Sequence, residues 1–274
     1  MKERRHSIVS EPALVHAPGY DRHVDSAGVL PPLDLILMVT GVGDEKWFSE
    51  SGMRSVDDIG RSLAAIGKTL DDYTDVLDFG CGPGRIARWL LQRPNMNLTG
   101  IDIQRPMIEW CRDNLPTGCF EVGPPLPPTA FDDASFDLVL NHSVFTHLDE
   151  RYQDEWLAEL ARITRADGTL VLSFSGEMPF AQLEASVRDE HPTVAAAWRE
   201  QLERDGILFI TEDTDLGFPD FYHSTFHKPA YVLEHWQQWF ELLAYIPRNN
   251  LEFQDVVVMG PRAGGVTTAC PRAT

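Results

Sequence analysis

The sequence has 274 residues, 43% of them hydrophobic and 24% charged, a composition typical of a globular protein built from one large domain or two small ones. Its formal net charge of −19 disfavours binding to nucleic acid or to an anionic membrane, since both require a basic surface. No apolar run is long enough to predict a membrane-spanning helix, and the charged segment Met1–His6 lacks the apolar core of a signal peptide.

The cysteines are scattered along the chain without the spacing of a metal site. They are Cys81, Cys111, Cys119 and Cys270, and no pair of them forms a Cys-x-x-Cys motif. This pattern argues against a zinc site or a disulfide framework and favours a cytoplasmic protein.

Strand-like and helix-like segments alternate through the middle of the chain, between a flexible arm predicted over residues 1–28 and a disordered tail predicted over 262–274. The predicted strands are 75–79, 97–102, 120–122, 136–141 and 169–175. The predicted helices are 56–70, 85–92, 106–114 and 150–164. Short apolar strands joined by helices predict βαβ units, hence a doubly wound, mostly parallel α/β sheet within one domain over 29–261.

The pattern changes after the fifth strand. Residues 180–204 are helical with a break at His191-Pro192, residues 211–219 resemble a loop, and a further helix is predicted over 231–240. Two final strands are predicted at 240–246 and 253–259. Residues 177–229 are too long for an ordinary connection, and we expect this insertion and the N-terminal arm to form a lid over the substrate.

The strongest functional signal is the segment Asp78-Phe-Gly-Cys-Gly-Pro-Gly84. A strand runs into a turn with alternating glycines, which allow a ligand to approach the backbone closely. A dinucleotide fingerprint requires glycine at relative positions one, three and six, but Arg85 stands at the sixth. A carboxylate at position 78 also suits a cationic amino group better than a pyrophosphate.

Asp102 ends the second predicted strand, at the position where an acid can accept hydrogen bonds from both hydroxyls of a ribose. A tight turn with an unrelated surface acid would explain either feature alone. The two in register predict a nucleoside-containing cofactor.

Residues 70–176 resemble the class I S-adenosylmethionine-dependent methyltransferases, in the glycine motif at 78–84 and in the segments Pro127–Leu148 and Arg162–Ser173. The resemblance implies a seven-stranded Rossmann-like methyltransferase sheet, S-adenosyl-L-methionine as cofactor and S-adenosyl-L-homocysteine as product. The motif would wrap the methionine part of the cofactor and Asp102 would hold the ribose. The cofactor-binding residues implied are Asp78, Gly80, Cys81, Gly82, Gly84, Asp102, Ile103 and Asn141.

The adenine side departs from the family pattern. Many relatives carry an acid after the third strand, whereas this chain reads Phe120-Glu-Val-Gly-Pro-Pro-Leu126. We expect backbone near 122–126 to contact the adenine, with Ile103 against the ring. More loosely, Tyr222–His227 and Gln254–Val258 resemble a bacterial small-molecule subgroup.

Histidines are the candidates for a general base, which helps when the acceptor is a hydroxyl or a protonated amine. His142, His223 and His227 are the catalytic candidates, with a structural role as the default for His223 and His227. His147 is a candidate acceptor contact with local packing as its alternative. His223 and His227 would share one side of a strand, but without a convincing carboxylate nearby they predict no metal site.

Aromatic residues outside the cofactor half could line an acceptor pocket, with core packing as the alternative. The candidates are Trp47, Phe48 and Tyr222. The predicted function is therefore methylation of an O or N atom of a small molecule, by a protein that binds neither nucleic acid nor membrane. The oligomeric state stays open, a homodimer included. The alternatives are an inactive cofactor-binding regulatory or scaffold protein and a protein or peptide methyltransferase.

Overall fold

The computed structural model describes residues 24–41, 43–211 and 221–262. The strands are β1 (Val24–Asp25), β2 (Gly28–Val29), β3 (Asp75–Phe79), β4 (Asn97–Asp102), β5 (Cys119–Val122), β6 (Phe136–Asn141), β7 (Thr164–Phe174), β8 (Ile207–Ile210), β9 (Ser224–His227), β10 (Phe240–Asn250) and β11 (Gln254–Pro261). The helices are α1 (Leu33–Thr40), α2 (Glu45–Ala64), α3 (Ala87–Leu90), α4 (Arg105–Asn114), α5 (Glu150–Ile163), α6 (Glu177–Arg188), α7 (Pro192–Asp205) and α8 (Pro229–His235), with single 3-10 turns at Leu70–Asp72 and Trp236–Gln238.

Seven strands form one sheet in the order β10-β11-β7-β6-β3-β4-β5. Strands β3 to β7 are parallel, and β11 is antiparallel to both β7 and β10. The chain moves outward from β3 to β4 and β5, then returns to the other side of β3 with β6. The predicted doubly wound, mostly parallel sheet is confirmed. Its ligand-binding crevice is expected beyond the carboxyl ends of β3 and β6, where the strand order reverses.

The core lies in two layers, one on each face of the sheet. Alternation along β3 sends Val76 to one face and Leu77 and Phe79 to the other. The first layer is covered by α2, α3 and α4, and the second by α5 and α8. Because both faces are covered, the central strands are nearly continuous apolar runs.

Several elements differ from their predicted bounds. The helix predicted at 56–70 begins at Glu45, where the Asp44 carboxylate accepts a hydrogen bond from the Trp47 amide at 3.0 Å. The helix predicted at 231–240 ends at His235 and passes through a 3-10 turn into β10. Strand β7 starts at Thr164, with a register irregularity against β6.

The insertion forms a small unit with its own core. Helices α6 and α7, divided by the predicted break before Pro192, pack on the antiparallel pair β8–β9. Residues 212–220, which hold nearly all of the predicted loop, lie outside the described residues. So do residues 1–23 of the predicted arm and 263–274 of the predicted tail, while 24–29 form the β1–β2 pair.

Candidate functional site

The glycine loop connects β3 to α3 and is held in place by the end of β4. The amides of Gly80 and Cys81 donate to the Ile101 carbonyl at 2.8 and 3.0 Å. Gly80 and Gly82 have φ of +78° and +53°, a region that disfavours residues with a side chain. The sequence therefore forms a tight turn with bare backbone at the carboxyl end of the central strand.

Gly82 and Gly84 of this loop lie against different parts of the molecule. A Cβ at Gly82 would lie 3.1 Å from Val39 Cγ1 of α1 and 3.8 Å from Met107 Sδ, both of which line the cavity described below. A Cβ at Gly84 would lie 2.6 Å from Leu115 Cδ1, in the core beside α4. Gly82 thus faces the cavity, whereas Gly84 allows the loop to pack against the helix.

Asp102 joins the loop to the start of α4. Its Oδ2 accepts from the Gly82 amide at 2.9 Å, and its Oδ1 accepts from the Gln104 amide at 2.8 Å. Burial raises the pKa of this carboxyl, against the opposing effect of the two hydrogen bonds. Each oxygen keeps a second lone pair, so the carboxylate can still accept from the hydroxyls of a sugar.

Asp78 and Arg85 stand at the two ends of the loop. Asp78 is 2% exposed, and its Oδ2 has no hydrogen-bond partner among the described residues. Burial raises the pKa of Asp78 to about 7, with the nearby charge of Arg85 acting in the opposite direction. A buried carboxylate with an unused oxygen, beside bare glycine backbone, fits the cationic amino group of an amino acid.

These groups border a single cavity of about 360 Å³. The predicted site residues that line it are Asp78, Gly80, Cys81, Gly82, Asp102, Ile103, His142, His147 and Tyr222. On the predicted adenine side, Ile103 is joined by Gly123, Pro124 and Pro125, and the Gly123 amide donates to the Asp102 carbonyl at 2.9 Å. Residues distant in the sequence therefore meet around one space, which fits a nucleoside with an amino acid tail.

Two histidines line this cavity in neutral form. Burial and the charge of Arg85 hold the pKa of His142 well below its usual value, and its ring makes no hydrogen bond with any described residue. His147 Nδ1 lies 2.9 Å from the His223 carbonyl and its ring stacks on Tyr222 at 4.2 Å. Burial lowers the pKa of His147 to about 4. Since a carbonyl only accepts, Nδ1 of the neutral ring carries the proton and Nε2 keeps its lone pair.

The other two catalytic candidates do not place their rings at the cavity. The His227 side chain is fully buried, with Nε2 3.0 Å from Gln153 Nε2 and the ring edge-on to Phe174, and burial lowers its pKa to about 3. His223 meets the site through its backbone, which binds His147, while its ring lies against Phe209. The catalytic expectation for these two rings is therefore corrected in favour of a structural role. His227 lies on β9 with its ring in the core, and His223, directly before β9, has its ring against Phe209 of β8.

Four further predicted residues also lie away from the cavity. Gly84 packs against α4, and Asn141 is buried with both side-chain amide atoms unpartnered among the described residues. Trp47 is 41% exposed on α2, and Phe48 is fully buried against Leu30 and Ile36. Core packing, the alternative for Phe48, is what the structure shows.

Sequence reasoning missed the wall contributed by α1 and the charge of Arg85. Met38 and Val39 line the cavity from α1, and Phe221 lines it beside Tyr222. The apolar run Leu33–Val39 was the available signal for α1. Nothing local to that run indicates that it folds over a loop more than 40 residues later.

No group of three or more histidine, cysteine or acidic side chains within 24–41, 43–211 and 221–262 is arranged to hold a metal ion. Across the same ranges, no helix combines the length and the apolar character needed to cross a membrane.

The family model and the curated relatives that match part of this chain are methyltransferases. Residues 77–172 match a family described as a methyltransferase domain. Over 118 residues the chain is 31% identical to a malonyl-[acyl-carrier protein] O-methyltransferase of Acetivibrio thermocellus, covering 41% of this chain and 39% of that protein. A trans-aconitate 2-methyltransferase of Rhodopseudomonas palustris is 36% identical over 81 residues, covering 27% and 32%. The matches thus span well under half the length of these curated relatives.

The fold is shared with solved structures at low identity. A protein from Pyrococcus horikoshii superposes with a TM-score of 0.52 at 16% identity, covering 79% of this chain and 95% of that one. The matched methyltransferase domain covers the glycine loop, the acid that ends β4 and the central strands, the same residues that carry the resemblance to the class I S-adenosylmethionine-dependent methyltransferases.

Proposed function

We propose that this protein transfers the methyl group of S-adenosylmethionine to an oxygen or nitrogen atom of a small molecule. The observation that carries the proposal is the convergence of the glycine loop, Asp102 and the neutral His142 and His147 on one cavity. The cofactor supplies a methyl group already activated by a sulfonium, so no protein nucleophile is required.

The residues of this chain bind the cofactor and orient the acceptor toward it. Asp102 is placed to accept from ribose hydroxyls while it holds the loop through Gly82. Asp78 is placed to accept from an ammonium group. Holding the acceptor beside the methyl group in a near-attack geometry supplies most of the rate enhancement that such a displacement needs.

Proton removal from the acceptor is assigned to the neutral histidines. His142 and His147 both line the cavity, and burial keeps both rings unprotonated near neutral pH. An unprotonated ring can accept the proton that a hydroxyl or an ammonium acceptor loses. His223 supports this role indirectly, since its carbonyl orients His147.

A small acceptor fits the way the cavity is covered. Helix α1 contributes Met38 and Val39 to one wall, and Phe221 and Tyr222 of the 177–229 insertion contribute to another. We propose that these two elements contribute to the lid. The curated relatives include an enzyme named for trans-aconitate, and the net charge of −19 makes a nucleic-acid substrate unfavourable.

The test is an acceptor screen with the purified protein and S-adenosylmethionine. Release of S-adenosylhomocysteine is measured together with the mass of each candidate acceptor. We expect at least one small metabolite to gain one methyl group in a reaction that Asp102→Ala abolishes. Tight cofactor binding without turnover across the screen would favour a regulatory binding protein, and methylation confined to peptides would favour a protein substrate.

A further inference from the structure

A second, much smaller cavity adjoins the cofactor cavity, and we call it the polar chamber. Its volume is about 20 Å³, and a polar cavity holds one water molecule once its volume passes about 10–15 Å³. The polar residues that define it include Asp58 and Ser62 of α2, Asn141 and His142 at the end of β6, and Asn249 and Asn250 of β10. Among the described residues, His142 alone lines both cavities.

Two buried asparagines give the chamber the polar groups of a water site. Asn141 is 3% exposed, and neither atom of its side-chain amide has a hydrogen-bond partner among the described residues. Asn250 is 4% exposed and its Nδ2 donates to Gln254 Oε1 at 2.7 Å, whereas its Oδ1 has no partner within the same part of the chain. Buried amide atoms of this kind are costly unless they are satisfied, and ordered water commonly satisfies them.

The other polar groups around the chamber are already engaged with one another. Asp58 Oδ2 accepts from the Leu251 amide at 2.8 Å, and its Oδ1 pairs with Arg61. Asn249 Nδ2 donates to the Asp58 carbonyl at 2.9 Å and to Ser62 Oγ at 2.8 Å. These contacts fix the walls of the chamber and leave the two buried asparagines to bind a water.

His142 lacks the kind of partner that fixes the other histidine of the site. His147 Nδ1 donates to the His223 carbonyl, which leaves Nε2 as the basic nitrogen. The His142 ring is also neutral, but it makes no hydrogen bond with any described residue. A neutral imidazole acts as a base only when its lone pair, and not its N–H, faces the acceptor. A hydrogen-bond acceptor in the chamber would hold the ring in that orientation.

We propose that the polar chamber binds one ordered water, which accepts a hydrogen bond from the His142 ring and so makes His142 a general base. A water donates two hydrogen bonds and accepts two, so one molecule can serve Asn250 Oδ1, the Asn141 amide and the N–H of His142. Asn141 and Asn250 are then positioning residues, because they act through the water.

This role rests on the proposed function and concerns the proton that the acceptor loses. As the acceptor atom forms its bond to the methyl carbon, the electron pair of the broken C–S bond returns to sulfur. The acceptor's proton passes to the ring nitrogen of His142 that faces the cofactor cavity. The resulting imidazolium keeps its other N–H on the chamber water and loses the extra proton to solvent when the products leave.

A high-resolution crystal structure of the wild type with S-adenosylhomocysteine tests the water without any substitution. We expect one water within about 3.2 Å of Asn250 Oδ1 and of a ring nitrogen of His142. A chamber without a water, or a water that does not contact the His142 ring, would overturn the inference.

Asn141→Leu tests what the water does, because leucine has a similar size but no amide. The control is Thr169→Val, which removes a buried hydroxyl of β7 that accepts from Tyr73 at 2.7 Å and lines neither cavity. Nitrogen-15 shifts of labelled histidine report the tautomer in the complex with S-adenosylhomocysteine. We expect a single His142 tautomer in the wild type and in the control, and a mixture of both tautomers in Asn141→Leu.

Kinetics with an acceptor found in the screen complete the test. Asn141→Leu should lower kcat about tenfold with KM unchanged, the scale of one hydrogen bond to a charged group. His142→Gln should lower kcat about 100-fold. Adding Asn141→Leu to His142→Gln should have little further effect, because the water acts through His142.

The outcomes separate this inference from the proposed function. An unchanged tautomer in Asn141→Leu, or an equal loss of kcat with and without His142, would make Asn141 a structural residue and overturn the inference. If no acceptor is methylated although the wild type has the expected water and tautomer, the proposed function fails, and the catalytic role fails with it. The water site itself would then stand.

Discussion

At the scale of single residues, Asp102 carries more of the site than any other side chain, because it holds two backbone amides and faces the proposed ribose. We expect Asp102→Ala to weaken S-adenosylhomocysteine binding about 100-fold, since one change removes ligand contacts and the support of the loop. Calorimetry measures the affinity, and Asp113→Ala, which removes an exposed acid near the end of α4, is the control. Unchanged affinity in a folded Asp102→Ala protein would contradict the placement of the cofactor.

Asp78 gives the ligand-free site a dependence on pH. Its pKa is raised to about 7 by burial, with Arg85 opposing the shift and Asp102 adding to it. An ammonium ligand binds the ionised form, so the affinity for S-adenosylhomocysteine should rise as the pH passes upward through about 7.

The matched variant for this prediction is Asp78→Asn, which has no carboxyl to titrate. Its affinity for S-adenosylhomocysteine should stay constant between about pH 6 and pH 8, and an identical slope in both proteins would assign the dependence to another group.

The raised pKa of Asp78 also has a consequence for stability. Between about pH 4 and pH 7 the folded protein retains a proton that the unfolded chain has released, so this group's contribution to stability falls as the pH rises.

At the scale of secondary-structure elements, the strands of the cofactor half were predictable because each is a short apolar run with clear boundaries in the sequence. The predicted bounds of β3, β4 and β6 agree with the structure. The start of α2 was not predictable, because Ser49, Ser51 and Gly52 weaken its helical pattern, and Gly52 is there for a tertiary reason, the approach to Arg85.

The residues of the site also fall into a predictable group and an unpredictable one. The glycine loop and Asp102 were predictable because the chemistry and the turn share one local segment. The wall formed by α1 and the role of the His223 carbonyl were not, because they depend on which distant segments meet. Neither could the ring of His227 be assigned to the core from the period of two along its strand, since that period fixes which residues share a side but not which side is buried.

The glycine loop allows a paired test of binding against stability. In Gly82→Val the new side chain would extend toward Val39 and Met107 into the cavity. We therefore expect loss of S-adenosylhomocysteine binding, measured by calorimetry, in a protein that retains its circular dichroism spectrum. Normal binding by the folded variant would contradict the position given to the loop.

Gly84→Ala should act on stability instead. Its Cβ would lie 2.6 Å from Leu115 at a φ of +76°, so we expect a loss of about 2 kcal/mol in the free energy of unfolding, from overpacking and backbone strain. Urea denaturation measures this loss. A variant as stable as the wild type would show that α4 can move away from the loop.

At the scale of the whole molecule, the order of the strands explains why the site exists. The chain reverses direction across the sheet between β3 and β6, so loops from both halves open at one edge, and α1 and the insertion cover that edge. Ligand binding there joins segments far apart in the sequence.

Binding should therefore stabilise the entire fold. At a concentration about 100 times its dissociation constant, S-adenosylhomocysteine should add about 2.7 kcal/mol to the stability and raise the melting temperature by roughly 5–11 °C. Scanning calorimetry measures the shift. At the same concentration Asp102→Ala should show a much smaller one, and equal shifts in both proteins would indicate a binding site elsewhere.

Hydrogen–deuterium exchange with and without S-adenosylhomocysteine tests the location and composition of the cofactor site most directly. We predict slower exchange in peptides covering the glycine loop, the start of α4, residues 123–125 and the end of α1. The two strands at the far end of the sheet, β10 and β11, should be unchanged. Protection that spares residues 80–85 and 102–107 while another surface becomes protected would contradict the account.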